Sequence, residues 1–229
     1  MLDILHDYWP MLLVGQYPNG PLGGLALTLI LALLGLLLSM PLALLIAIAR
    51  VSPFRGLRVA SRLLVNTVRG MPLLMLIFWA YFAVPKLTGG SISGFWTLVT
   101  ALVIYESAYL SEVIRSGIEA IPKGQIEASR SLGVGYWTTM RKVVLPQALF
   151  NVLPSMTSQF VSTIKETSLG YVISVNELTF AANQANNLVL TQPLQVFGIL
   201  AIIYFLVCFS LSRSVAWLDS WVRRSRSMA

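Results

Sequence analysis

Between residues 22 and 49 the chain is almost wholly apolar, interrupted only by Thr28, Ser39 and Pro41. A stretch longer than the roughly 20 residues that cross a bilayer has one stable solution, a membrane helix whose backbone groups satisfy each other. Four further stretches read the same way. Residues 63–84 contain Arg69 and Pro72, residues 95–114 contain Glu106 and Glu112, residues 147–173 are the most polar, and residues 194–217 have a clean apolar centre. The expected fold is therefore all-α, a polytopic membrane protein with five transmembrane helices in a single domain, 1–229.

Composition agrees with a lipid solvent. The 229 residues are 56% hydrophobic and 11% charged, with a mean hydropathy of +0.76, where a soluble domain carries roughly twice that charged fraction. Cys208 alone offers no disulfide framework, and His6 alone offers no metal cluster. No Lys is followed by Ser or Thr, so a GxxxxGK[ST] phosphate loop is missing. If ATP drives this protein, another subunit must hydrolyse it. Nor does a nucleophile, base and orienting group cluster anywhere, so an enzyme is a distant reading.

The net charge of +7 follows membrane orientation rather than nucleic acid. Arg50, Arg55, Arg58 and Arg62 follow the first stretch; Arg115, Lys123, Arg130, Arg141 and Lys142 surround residues 122–146; Arg213, Arg223, Arg224 and Arg226 flank or follow the last. The opposite loops hold only Lys86. The positive-inside rule then puts the N-terminus outside and the C-terminus inside, which needs an odd number of crossings and agrees with five. The first segment, with Asp3, His6 and Asp7 but no Lys or Arg, lacks the basic region of a cleaved signal, so the first span is expected to be retained. Residues 85–94, PKLTGGSISG, make a short outer turn. The polar residues 174–193 belong at the outer face, with room for a short interfacial helix.

A charged group near the bilayer centre costs on the order of 2.5–3.5 kcal/mol, so Arg69, Glu106, Lys165 and Glu166 should face protein or water. Ser155, Ser158, Gln159, Ser162, Lys165 and Glu166 recur at three- and four-residue steps and form one polar helix face. That face either lines a substrate route or glues neighbouring helices by hydrogen bonds. Arg69, about 10 Å into its span, either joins the route or snorkels to the inner surface. Glu106 is open between pairing with Arg69, pairing with Lys165, and being protonated. Glu112 and Arg115, three apart, read as a local ion pair.

One polar block carries a spaced signature. In GQIEASRSLGVGYWTTMRKVVLP, Glu127, Ala128 and Ser129 are followed after three residues by Gly133, and after nine more by Val143, with Leu145 and Pro146 closing it. Such a block suits a short helix, a left-handed glycine turn and a second short helix. It resembles the EAA motif of ATP-binding-cassette importer permeases, with Ser129 and Val143 as conservative departures. VRGMPLLMLIFWAYFAVP, YESAYLSEVIRSGIEAIPKGQIEA and the stretch containing KETSL resemble the polar amino acid uptake branch. Arg69, Pro72, Trp79, Tyr81, Pro85 and YESAYLSE are most similar to the glutamate/aspartate permease subunits.

The resemblance implies a type I importer in a bacterial inner membrane. Its partners would be a second permease subunit, identical or related, a cytoplasmic ATPase dimer and a periplasmic amino acid-binding protein. No cofactor is expected in this chain, with ATP and Mg on the ATPase. The block would be the coupling helix, with Glu127 and Gly133 at the contact and Gly124, Ala128, Ser129, Leu132, Leu145 and Pro146 around them. KETSL matches the branch's K-x-T-S-L pattern, which adds Lys165, Thr167 and Ser168 to the route residues Arg69, Glu106, Ser158, Gln159 and Ser162. Lys165 is suited to the carboxylate common to all amino acids. Other polar substrates, glutamine or basic, share that pattern. The rivals are an ion-coupled secondary transporter using Glu106 or Glu166, although no repeated halves are seen, and a scaffold or exporter subunit that uses the block only for docking.

Overall fold

The structure, a computed structural model, describes residues 2–90 and 93–227. Ser91 and Ile92 of the expected outer turn lie outside the described residues, as do the side chains of Asp3, Arg223, Arg224 and Arg226. Among the described residues there are helices and turns and no β-strand. The chain opens with α1 (Leu2–Val14), an element absent from the sequence expectation, which doubles back through Gly15 and Gly23 onto α2 (Gly24–Val51). Apolar side chains fill α2, and Arg50 in its last turn faces the negative end of the helix dipole.

The expected single crossing at 63–84 is corrected. Instead α3 (Arg55–Arg69) ends at Gly70, and after Met71 and Pro72 the chain resumes as α4 (Leu73–Phe78), a π-helical turn Trp79–Ala83 and α5 (Val84–Thr88). The two halves are bent by 98°. Pro72 lacks an N–H and disfavours helical geometry at Met71, so the helix has to stop there. Arg69 is thus the last residue of α3 at the bend, not a cation set inside a continuous span.

Ser93 caps α6 (Gly94–Glu119) by accepting the Trp96 N–H at 3.4 Å. Then come α7 (Lys123–Ser131), α8 (Tyr136–Thr139), a second π-helical turn Met140–Val144 and α9 (Leu145–Glu166). Both π turns run directly into a helix with proline at its second position, Pro85 and Pro146. A widened turn relieves the clash between a proline ring and the carbonyl four residues back. A 3₁₀ turn Thr167–Ile173 leads to α10 (Leu178–Val189) and α11 (Pro193–Ser227).

Helices α2 and α6 run parallel and make the most extensive pairing, with Gly35 against Leu102 and Arg50 against Glu112. Helix α9 runs antiparallel to α6. Gly117 permits that crossing, since a Cβ there would stand 2.5 Å from Val152 Cγ1. One apolar cluster, including Ala47, Leu110, Ile114, Val144 and Val152, fills the end nearest α7 and α8; Leu31, Ile77, Leu98 and Leu102 fill the opposite half. A third joins α1, α10 and α11 through Leu12, Leu178, Ala182 and Ile199.

Among the described residues α2, α6 and the Pro193–Trp217 part of α11 are long and apolar enough to cross a membrane; α3 with α4–α5 passes the same test only when the two bent halves are counted together, as a broken span or a re-entrant loop. At 22 residues, or about 33 Å, α9 is long enough but more polar. The apolar part of α11 is only 11% buried, which leaves its surface for lipid or another subunit.

Candidate functional site

Two groups of polar residues stand out from the apolar bundle. The first is the block after α6. Helix α7 closes where Gly133 adopts φ +74°, with the Gly133 N–H donating to Arg130 O at 2.9 Å and the Val134 N–H to Ser129 O at 3.1 Å. Glycine takes this left-handed conformation without a Cβ clash, and it reverses the chain into α8. One side-chain bond ties α7 to α8 within the block, and two fix the block to the helices before and after it. Ser129 Oγ and Thr139 Oγ1 are 2.8 Å apart and buried, Gln147 Nε2 donates to Gln125 Oε1 at 2.7 Å, and the Tyr136 hydroxyl donates to Val51 O at 3.1 Å. Burial pushes the Tyr136 phenol up from its ordinary pKa, which keeps it a donor.

With the block held from behind, Gly124, Glu127, Ala128, Leu132, Gly133 and Pro146 are exposed, Leu145 is half-buried and Ser129 is buried. Ser129 is thus an internal brace rather than part of the displayed surface. Leu132 is 83% exposed, an unusual position for a large apolar side chain beside charged neighbours.

The second group lies along α6 and α9. Glu106 is fully buried and accepts the Thr163 hydroxyl at 2.7 Å, with Glu166 and Gln159 beside it. Glu106 Oε2 and Glu166 Oε2 are buried without a hydrogen-bond partner among the described residues. One turn further along α6 the Tyr105 and Tyr109 hydroxyls meet at 3.1 Å, and the Arg69 guanidinium lies 5.1 Å from the Tyr109 ring centroid. Among the described residues neither Arg69 nor Lys165 forms an ion pair with Glu106, so both of those pairing options are set aside. Thr163, which binds Glu106, carried no distinguishing sequence signal among the hydroxyls of that helix.

The remaining route residues divide. Lys165 and Ser158 are exposed, and Gln159 and Ser162 are half-buried. Thr167 is buried and donates to Ile164 O at 2.7 Å, while Ser168 donates to Lys165 O at 2.6 Å. Those two hydroxyls serve their own helix end instead of the shared seam. Glu112 also does more than a local pair: its carboxylate binds Arg50 of α2 at 3.0 Å as well as Arg115, which in turn reaches Glu119.

Within residues 174–193, Glu177 is fully buried in the protein. It accepts the Thr179 N–H at 2.8 Å, the Phe180 N–H at 2.9 Å and the Tyr204 hydroxyl at 3.2 Å, so it caps α10 and ties it to α11. Only the order Glu-Leu-Thr before a helical stretch hinted at such a cap.

Against this geometry the comparisons with known proteins are consistent. Residues 39–224 match the family described as Binding-protein-dependent transport system inner membrane component. The chain is 39% identical over 198 residues to the probable glutamine ABC transporter permease protein GlnP of Bacillus subtilis, covering 86% of this chain and 90% of that one. It is 34% identical over 209 residues to the inner membrane amino-acid ABC transporter permease protein YhdY of Escherichia coli, covering 90% of this chain and 57% of the longer relative. Further relatives are named for arginine, L-cystine and glutamate/aspartate. A solved structure described as an amino acid ABC transporter with histidines superposes with a TM-score of 0.83 at 30% identity, over 94% of this chain and 96% of that one. The fold is therefore that of an ABC transporter permease. The chain belongs to the family of binding-protein-dependent transport system inner membrane components.

Proposed function

We propose that this chain is the membrane-spanning permease subunit of an ATP-driven amino acid importer in a bacterial inner membrane. The observation that carries this reading is the displayed block: a short helix and a left-handed glycine turn, braced from behind by Ser129, Tyr136 and Gln147, with Glu127 and Leu132 left uncovered. A rigid protrusion of this kind suits a groove on a separate ATPase subunit, which carries the ATP and Mg that this chain has no loop to hold. A second permease subunit would cover the exposed apolar flank, and a periplasmic binding protein would deliver the substrate. The N-terminus is then periplasmic and the C-terminus cytoplasmic. ATP binding closes the ATPase dimer, α7 moves with it, and the permease pair turns its cavity outward; hydrolysis resets it.

For the substrate we infer glutamate or aspartate from the likeness of the Arg69–Pro85 stretch and YESAYLSE to acidic amino acid permeases. An anion entering a cell held 100 mV negative meets an added cost of about 2.3 kcal/mol per charge, which an ATP-driven step overcomes. A second reading has its own support. Buried Glu106 and half-buried Glu166, each with one buried oxygen free of a hydrogen-bond partner among the described residues, suit a cationic group better than an anionic side chain, so a basic amino acid is the alternative. Uptake of labelled glutamate into vesicles with the reconstituted transporter, competed by aspartate, glutamine and arginine, decides between them. Competition by aspartate alone supports the acidic reading; competition by arginine overturns it in favour of the basic one. ATP-independent uptake driven by an ion gradient would overturn the importer reading itself.

A further inference from the structure

The crossing of α6 and α9 holds two acids that no cation among the described residues neutralises. Glu106 is fully buried and turns Oε1 to the Thr163 hydroxyl at 2.7 Å, while its Oε2 is buried with no hydrogen-bond partner among the described residues. Glu166, on the facing helix, stands within hydrogen-bonding reach of that carboxyl, and its own Oε2 is buried and unpartnered in the same way. Two ionised carboxylates side by side out of water would each lose hydration and repel the other, so one of them has to be neutralised. The recorded ion pairs do not supply the cation: Arg50 and Arg115 are taken by Glu112 and Glu119, and Lys165 is exposed. Arg69 of α3 lies over the Tyr109 ring, and Tyr105, which feels both carboxylates, donates its hydroxyl proton to Tyr109 at 3.1 Å. Helix α11 brings Tyr204, which is bound to Glu177, and Cys208; the turns beside α4 and α9 bring Tyr81 and Tyr171. Helix α4, and α2 before Arg50, bring no titratable side chain.

We propose that Glu106 and Glu166 share one proton, carried on Glu106 Oε2 and donated to the Glu166 carboxylate, and that this proton latches α6 to α9. The hydrogen-bond pattern assigns its place. Oε1 of Glu106 accepts from Thr163 and is the carbonyl oxygen, so the hydroxyl is the unpartnered Oε2; Glu166 is an acceptor that lacks a donor until that proton is present. Both free oxygens are closed off from solvent, and a proton is the cation that needs no room beside them. Such a pair titrates as a unit, because like charges in contact cannot both be ionised. The latch joins the two helices on either side of the displayed block, since α6 leads into α7 and α9 follows the second π turn. Loss of the proton puts two like charges across the seam and pushes the helices apart.

The test uses the assembled transporter with its ATPase in lipid vesicles, and follows the infrared carbonyl band of protonated carboxyl groups through a pH titration. The wild type should show a band at neutral pH that disappears as the pH rises. Glu106→Gln should abolish it, Glu166→Gln should shift both its frequency and the pH at which it is lost, and Thr163→Val should move it to higher frequency, because the carbonyl loses its donor. Glu177, the other fully buried carboxyl, is kept in every variant, so any band of its own cancels. Folding takes up a proton that both carboxyls release to water near neutrality in the unfolded chain, so stability is lost as the pH rises. The wild-type melting temperature should therefore fall over the range in which the band disappears, and Glu106→Gln should remove that part of the fall. No titrating band in the wild type, or one unchanged in Glu106→Gln, overturns the proposal, as does an identical fall of melting temperature with pH in both proteins. Should Glu106→Gln not assemble, a band indifferent to both Thr163→Val and Glu166→Gln overturns it equally. The readouts involve no transport, so the uptake competition tests the importer reading separately.

Discussion

The block at 122–146 and the cap at 174–190 are both polar interruptions between apolar helices, yet they fold in opposite ways. At the cap the polar groups around Glu177 turn inward, while Asn187 further along α10 is exposed. Glu177 takes two N–H groups and a tyrosine hydroxyl, the Leu178 N–H finds Thr28 Oγ1 at 3.0 Å, and the Gly24 N–H finds Asn176 O at 2.9 Å. In the block the inward groups are a few braces, and Glu127 and Leu132 are left showing. A polar segment satisfied by its own chain is holding the fold together. A polar segment braced from behind and bare in front is a surface shaped for something else.

Breaking the cap gives the largest change in stability. Glu177→Ala leaves two backbone donors and the Tyr204 hydroxyl unsatisfied in a buried place, a cost of about 3 kcal/mol for three lost bonds. Thermal unfolding of the purified protein should show it, while affinity for the ATPase per folded molecule stays at the wild-type value. A Glu177→Ala protein as stable as the wild type would erase the distinction between the two regions. Next comes Gly133→Val. A β-branched residue held at φ +74° costs about 1–2 kcal/mol, and here nothing within 4 Å would clash with its Cβ, so the penalty is conformational. It should lower both stability and ATPase association, because the turn aims the displayed face.

The sequence was readable where a feature is local and repetitive. Apolar runs marked α2, α6 and α11, and the spacing from Glu127 to Pro146 marked a helix, a left-handed glycine and a second helix in the right order. It was unreadable where a partner far along the chain decides the outcome. Glu177 looked like an outer-loop acid because Tyr204 and Thr28, which enclose it, lie 27 and 150 residues from their bonded partners at the cap. The break before Pro72 was visible as a residue but not as a 98° bend, since hydropathy averages across it. Helix α3 was hidden for the same reason: its arginines counted toward orientation while its leucines were absorbed into a span. In the carboxylate seam Glu106 was picked out by its charge, but Thr163 was one hydroxyl among many until the α6–α9 crossing at Gly117 set the register.

A smaller effect separates brace from surface inside the block. Ser129→Ala removes one buried hydroxyl bond and leaves Thr139 Oγ1 without it, for about 1 kcal/mol. The expected signature is a modest fall in melting temperature together with a partial fall in ATPase affinity, since α7 is loosened but its exposed residues are unchanged. Equal uptake and equal stability in Ser129→Ala would mean that α7 is held by its backbone turn alone.

The smallest stability change should come from Glu127→Ala. Its side chain is exposed, its helix continues through it, and the recorded bond at this residue runs from the Ser131 hydroxyl to its backbone carbonyl, which alanine keeps. Folding free energy should therefore shift by no more than about 0.5 kcal/mol. If the side chain is an anchor in an ATPase groove, its removal weakens that contact by about 2 kcal/mol, well over tenfold in affinity. The ratio of the two effects is the decisive quantity. Glu177→Ala should change stability and spare docking, and Glu127→Ala should do the reverse. Co-purification of the ATPase with each variant, beside its melting curve, measures both, and a Glu127→Ala protein that retains its ATPase at wild-type affinity would reduce the displayed block to ordinary surface.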